Sequence, residues 1–399
     1  MNSGLAVLSL NDAKSRAQAG VVALVLFSLG HFFVDLYSGS LGVMQPYLIN
    51  RFGLSLTEAG LLGGLLVFSS SVTQPLYGYL SDRLRSRYFS AVGPALVGIF
   101  ILGASLAPGY RWAVISMLIG GAGVSAFHPQ ASSWAALGMK SDRAKWMSVF
   151  ISAGTLGIAL APALFKEVIT RAGFERIVWA ALPGVAVTIL LMALVREPEE
   201  AAVMPSRAFD WPALRIVWKP LLILYFGVFF RSAVQVTYSQ FLVLYLNRER
   251  GYSIHAAAYT LTLYLTAGAL GGFLGGYLSD RIGARRIIIL SFALSVPFMA
   301  LFFLTSSILG VVSLVLGGLI LLFTIPVNVV VAQQLVPSQA ATVSALLMGF
   351  AWGAAGMIFI PATGWLADRT SLHVALGVLL IFPVLGWALA RHLPEDLGR

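Results

Sequence analysis

Apolar runs of about 20 residues follow one another along the whole chain, broken by short clusters of charged, Gly and Pro residues, and each can cross a hydrocarbon core of roughly 30 Å as a helix. The pattern predicts twelve membrane spans, at 20–48, 55–80, 88–107, 111–138, 146–168, 174–195, 218–246, 253–279, 287–306, 308–335, 341–366 and 372–391. Several exceed the minimum length, which predicts tilt. Residues 1–19 are polar and mixed and lack the basic, apolar, small-residue order of a cleaved signal; they read as a cytoplasmic N-terminal tail.

The pattern is also written twice. "GYLSDRLRSR" begins at Gly78 and "GYLSDRIGARR" at Gly276, which sets Asp82 and Asp280 198 residues apart, close to half the chain. "GHFFVDLYSGSLGVMQPYLIN" from Gly30 likewise aligns with "GVFFRSAVQVTYSQFLVLYLN" from Gly227. The expected organisation is therefore an all-α membrane protein of two pseudo-symmetric six-helix bundles, 20–195 and 218–391. The charged, Pro-bearing stretch 196–217 joins them as a cytoplasmic linker, and 392–399 forms a cytoplasmic C-terminal tail.

Composition agrees with that reading and narrows it. Of 399 residues, 58% are hydrophobic and 11% charged, far from the balance of a soluble domain. The net charge of +10 is an orientation signal: with both termini inside and the basic residues at span ends counted with the adjoining segments, 17 of the 26 Lys/Arg fall on the cytoplasmic side and 8 outside, and Arg231 lies deep within a span. Nothing in this arrangement suggests nucleic acid. The absence of cysteine excludes disulfides, thiolate metal sites and thiol catalysis. A Gly-rich run such as "GALGGFLGG" without a preceding strand is a helix-packing feature and carries no nucleotide signal.

Against so apolar a background the polar positions stand out. His31, Asp35, Ser38, Gly42 and Gln45 share one face of the first span. A carboxylate at mid-span costs about 2.5 to 3.5 kcal/mol, so Asp35 has to face protein or water. The seventh span carries Arg231, Gln235, Tyr238 and Tyr245 on a similar stripe, the fourth carries Ser125, His128 and Ser132, and the tenth Thr324 and Asn328. Asp35 with His31 and His128 forms the candidate proton-coupling group, because a carboxyl and an imidazole whose solvation changes can load and release a proton. Gln45, Ser132, Arg231, Gln235, Tyr238 and Asn328 are the candidate substrate-cavity residues. The competing structural reading pairs Asp35 with Arg231 as a lock between the halves and leaves His128 satisfied by a neighbouring carbonyl. Ser70, Thr73 and Gln74 read as hydrogen-bond partners between helices. No cofactor, metal site or enzymatic constellation is expected, since three ligands without Cys or a further carboxylate fall short of a metal motif.

The paired G-Y-L-S-D-R loops resemble the signature of the major facilitator superfamily. "FHPQAS" at 127–132, "SLTEAGLLGGLLVFSSSVTQPLYGYLSD" and "GWLADRTS" from Gly364 extend the resemblance to the fosmidomycin-resistance family of drug efflux proteins over essentially the whole chain. That resemblance implies a central cavity lined by helices 1, 4, 7 and 10, and alternating access. The chain departs from the pattern at Arg85, where the second copy keeps Gly283, and at Gln130 and Gln334, where the family carries acids. Asp82, Arg83, Asp280 and Arg281 form the expected conformational latch, each carboxylate set against a helix N-terminus of the other half. The expected function is secondary active transport in a bacterial cytoplasmic membrane. Its form would be proton-coupled efflux of a small drug-like or anionic compound by a monomer, its partners being that substrate, protons and the bilayer. An importer, exchanger or uniporter for an organic anion or sugar is the alternative, and a non-transporting sensor a further one.

Overall fold

A computed structural model describes residues 2–84, 86–135, 143–195 and 211–395. All twelve predicted spans are present as helices, and no strand occurs among the described residues. In chain order they are α1 (Gly20–Phe52), α2 (Leu56–Ser81), α3 (Tyr88–Leu106), α4 (Tyr110–Trp134), α5 (Trp146–Ala172), α6 (Glu175–Leu194), α7 (Trp218–Arg248), α8 (Ile254–Ile282), α9 (Ala284–Leu304), α10 (Ile308–Leu335), α11 (Thr342–Arg369) and α12 (Leu372–Ala390). The backbone is helical from Asn2 to Ser38, so residues 2–19 extend α1. Of the linker, 196–210 lie outside the described residues and Trp211–Ile216 is a short helix.

Local chemistry sets the helix ends. Ser55 and Glu58 form a reciprocal capping box that starts α2, and the hydroxyls of Ser253 and Ser371 accept from Ala256 N and Val374 N to start α8 and α12. Gly283, at φ +93°, makes the turn between α8 and α9, a conformation that strains any L residue. α1 breaks at Gly39, where its backbone passes close to α5, and resumes at Leu41. π-helical turns interrupt α2 at Phe68–Val72 and α11 at Ala345–Ala351, in helices that face each other across the molecule.

The halves meet along three pairs of helices: α1 with α7, α2 with α11, and α5 with α8. Close backbone approach requires glycine at the seam: a Cβ on Gly60 would lie 2.8 Å from the Ile360 carbonyl, and one on Gly42 would run into the Ser239 carbonyl. Polar contacts between the halves gather in the part of the membrane away from the linker. Asp368, ending α11, accepts from Leu56 N (2.8 Å), Thr57 N (2.8 Å) and the Thr57 hydroxyl (2.5 Å), capping the start of α2 from the other half. Gln45 Nε2 donates to Gln240 Oε1 at 3.3 Å and to the Ala59 carbonyl at 3.2 Å. Glu167 of α5 meets His255 of α8 at 3.3 Å.

On the linker side the described latch residues keep to their own helices. Arg83 donates to Tyr79 of its own helix at 3.3 Å, Arg281 lies 4.3 Å over the Tyr277 ring of its own helix, and Asp280 is exposed. Among the described residues no ion pair or hydrogen bond joins Arg83, Asp280 or Arg281 to the opposite half; the side chain of Asp82 lies outside them. Arg83, Asp280 and Arg281 of the expected latch thus make no bond across the halves in this conformation, while the far side is zipped.

Asp368→Ala removes three charge-assisted bonds from the far-side closure and should favour opening there. With no native cysteine, a spin-label pair at Arg171→Cys and Ser306→Cys reports the distance between the halves by electron–electron resonance. The expected result is a longer-distance population, enriched by roughly 5- to 30-fold for about 1–2 kcal/mol of lost capping. An unchanged distribution would show that the cap does not hold this state.

Candidate functional site

His31 and Asp35 lie one turn apart on α1, and one helical turn brings the carboxylate Oδ2 to 3.3 Å from His31 Nε2. α4 delivers His128, whose Nε2 lies 3.3 Å from Asp35 Oδ1. The two imidazoles thus bracket one carboxylate, with their ring centroids 4.9 Å apart. Each ring is fixed from behind. His31 Nδ1 contacts the Phe150 carbonyl of α5 at 2.8 Å, with the ring stacked on Phe150, and His128 Nδ1 contacts the Val124 carbonyl at 2.9 Å. A carbonyl only accepts, so both Nδ1 atoms carry hydrogen and both Nε2 atoms face the carboxylate. A neutral ring then presents a lone pair to Asp35, and each Nε2 to carboxylate contact needs an added proton to become a hydrogen bond.

α5 can pass this close because residue 154 is glycine. A Cβ there would lie 2.6 Å from Asp35 Oδ2 and closer still to His31 Nε2. The three side chains keep 10%, 13% and 24% of their surface, for His31, Asp35 and His128, so the cluster is nearly buried and still reachable.

The alternative pairing of Asp35 with Arg231 does not form. Arg231, buried in α7, donates to Gln235 Oε1 at 3.1 Å and to the Ser232 hydroxyl at 3.3 Å, while its Nε has no partner. No carboxylate pairs with it among the described residues. Asn328 is buried with both amide atoms unpartnered, and so is the Tyr264 hydroxyl of α8. The second half thus holds a buried fixed cation and free polar groups where the first half holds a titratable cluster.

Other expected cavity residues are placed differently. Tyr238 is fully buried inside the second bundle, packed against Tyr264 and Phe303 with its hydroxyl on the Leu376 carbonyl at 3.3 Å. Gln45 belongs to the far-side seam. Ser132, one turn beyond His128, is exposed and bonded to its own helix. Ser125 bonds the Ser69 carbonyl at 2.7 Å and Thr73 at 2.9 Å, so Thr73 does join two helices as expected. Gln130, in place of the family's acid, is a structural clamp: it accepts from Ser90 N and Ser90 Oγ and donates to Ser81 Oγ and the Ser86 carbonyl. Gln334 is exposed. Sequence reasoning missed the Phe150 carbonyl, Gly154, Tyr264 and Asp368; the "SAGTLG" of α5, two small-residue positions one turn apart, marks a close-packing helix without saying what it packs against.

Twelve spans in two halves, joined on one side and enclosing buried polar groups, have the architecture of a membrane transporter. The profile of the Major Facilitator Superfamily matches residues 27–261 and 224–397, and the chain belongs to that family. It is 29% identical to the uncharacterized MFS-type transporter YfnC of Bacillus subtilis, covering 94% of this chain and 93% of that one. It is 26% identical to the fosmidomycin resistance protein of Escherichia coli, covering 97% and 95%. Among solved structures it shares its fold with a bacterial homolog of the human lysosomal transporter Spinster in an inward-facing and occupied conformation, at a TM-score of 0.77 and 18% identity over 94% of this chain and 96% of that one. The nucleoside transporter NupG matches at 0.73 and 14%, covering 94% and 98%. The protein is a multi-pass transporter of the bacterial inner-membrane kind.

Gly154→Ala should cost about 1–3 kcal/mol through overpacking against His31 and Asp35. Thermal unfolding of the purified protein checks this, with His31→Ala as the second arm of a double-mutant cycle. Removing the imidazole should return most of the cost, and additive losses would mean that Gly154 and His31 do not share that space.

Proposed function

We propose that the chain is a proton-coupled exporter: an antiporter that exchanges protons for a small drug-like or anionic compound by alternating access. The observation that carries the reading is the bracketed carboxylate. Asp35 is the acid farthest from any span end, and both flanking rings have their Nδ1 hydrogens committed to backbone carbonyls. The cluster can therefore take up protons between nitrogen and oxygen, and a change of solvation on switching sides would shift their occupancy. Arg231 keeps its charge throughout and offers an unpaired cation to an anionic substrate.

In the cycle proposed, the linker side is the cytoplasm, in keeping with its excess of Lys and Arg. Protons leave the cluster toward that side and substrate enters the cavity. The seams between halves rearrange, substrate departs outward, and protons reload Asp35, His31 and His128. Closure of the linker side would engage Asp82, Arg83, Asp280 and Arg281 as the latch. The resemblance to the fosmidomycin resistance protein makes fosmidomycin the first compound to try.

A second reading is a facilitator or exchanger for an organic anion or sugar, with Arg231 as anchor and no proton movement. What favours it is that Arg231 and the Asp35 cluster are not bonded to each other. Proteoliposomes separate the two. Substrate-evoked change in internal pH that Asp35→Asn abolishes, with substrate binding retained, is the result expected of the antiporter. Substrate flux without proton movement in either protein overturns it in favour of the facilitator.

Arg231→Gln tests the anchor in both readings. It should weaken binding of an anionic substrate by about 10- to 100-fold, the worth of a hydrogen bond to a charged group, measured by equilibrium binding to the purified variant. Retained affinity would remove Arg231 from the substrate site.

A further inference from the structure

The donor set around Asp35 has a second use that the sequence pattern alone did not support. The geometry points to a binding site for one divalent transition-metal ion of the zinc class, held by His31 Nε2, His128 Nε2 and a carboxylate oxygen of Asp35. These three residues present ligand atoms that all lie within 4.8 Å of one another. The two nitrogen to oxygen separations are both 3.3 Å. A tetrahedral ion with bonds of about 2.0–2.1 Å sets its ligands about 3.3 Å apart; His31 Nε2 holds that spacing to Oδ2 and His128 Nε2 to Oδ1, so with either oxygen one edge of the polyhedron is already in place.

Three further features fit an ion. Each imidazole donates its other nitrogen's hydrogen to a backbone carbonyl, of Phe150 and of Val124, which is how proteins orient metal-binding histidines and aim the free lone pair inward. Gly154 keeps side-chain atoms off the ligands, since a Cβ there would lie 2.6 Å from Asp35 Oδ2 and nearer still to His31 Nε2. The three side chains keep 10%, 13% and 24% of their surface, for His31, Asp35 and His128, so the ligand set is not sealed.

Charge balance links this site to the proposed proton site. Two neutral imidazoles, one carboxylate and a divalent ion sum to one positive charge, as do two imidazoliums around the same carboxylate. The ion can therefore take the place of two protons at constant charge, and binding releases whatever protons the two Nε2 atoms hold. α4 contributes His128 to the cluster and α5 a carbonyl and a glycine, and among the described residues no other ion pair reaches Asp35. Imidazole nitrogens select zinc-like ions over magnesium or calcium, which take oxygen ligands. The binding claim stands apart from the antiport reading; only the consequence that a bound ion arrests transport rests on it.

The test uses the full chain, purified without an affinity tag and reconstituted in nanodiscs. Zn2+ is titrated by calorimetry and Co2+ by its visible absorption, with Mg2+ as comparator. One ion per chain is expected, with affinity falling between about pH 7.5 and about pH 5.5 as protons compete. His31→Ala, His128→Ala and Asp35→Asn should each lose about 100-fold or more, whereas His255→Ala and His392→Ala should not change it. His128→Gln serves in place of the alanine variant if that does not fold. No saturable binding, binding that survives loss of His128, or equal binding of Mg2+ overturns the site. In proteoliposomes, Zn2+ should stop substrate-evoked proton movement. An ion that binds through the triad and leaves that movement intact upholds the metal site and counts against proton coupling there.

Discussion

A carboxylate at the middle of a membrane helix must be answered by positive charge or by protons, because hydrocarbon solvates neither an isolated anion nor an unpaired acceptor. In this protein the answer to Asp35 comes from two imidazoles on two helices, and much of the first bundle is arranged around that requirement. α1 supplies one ring a turn away, α4 the other, and α5 the carbonyl that fixes the first ring. The α5 helix reaches that position only where glycine leaves room, at residues 154 and 157, the latter against the Phe32 carbonyl. Small residues are what make the polar centre possible, since close backbone approach replaces the hydrophobic driving force that lipid does not provide.

The same economy of backbone approach governs how the halves are held. On the far side, Asp368 answers the unsatisfied N–H groups that begin α2, and glycines at 42 and 60 let opposing backbones touch. On the linker side Arg83 and Arg281 lie against tyrosines of their own helices. The far-side set of interactions between the halves is therefore made, while Arg83 and Arg281 keep to their own helices, and the π-helical turns in α2 and α11 lie between these two regions. A π turn carries an irregular hydrogen-bond ladder, so it is a place where a helix can bend without losing a full turn of backbone bonds.

How much of this could be read from the chain depended on whether the signal was local. Hydropathy placed all twelve spans, because each span meets the bilayer on its own terms. The His31 and Asp35 pairing was legible, being a single helical turn. The family resemblance put α4 beside α1, and with it His128 beside Asp35. The Phe150 carbonyl and Gly154 were not legible, since a backbone carbonyl has no sequence signature and a glycine has many uses in a membrane helix. Tyr238 misled for a different reason: a tyrosine at polar-stripe spacing has an apolar body, and its ring went into the second bundle while only its hydroxyl sought the Leu376 carbonyl. Gln45 lay on the predicted face of α1, but below the break at Gly39 that face points to Gln240 and the seam.

The two halves, though repeats of each other, divide the electrostatic work. The first carries groups that can change charge, with no fixed cation paired to them among the described residues; the second carries Arg231, which cannot change charge, with Asn328 and Tyr264 unpartnered in the same bundle. Had Arg231 paired with Asp35, each would have cancelled the other and held the bundles together, and neither would have been free for a ligand. Their separation keeps one site of variable charge and one of constant charge within a single cavity-forming fold. Gln130 fits this division: its four hydrogen bonds, all to the region around the loop following α2, are met by a neutral amide that both donates and accepts, a role an ionised acid cannot fill. With that position neutral, Asp35 is left as the carboxylate on which the charge state of the centre turns.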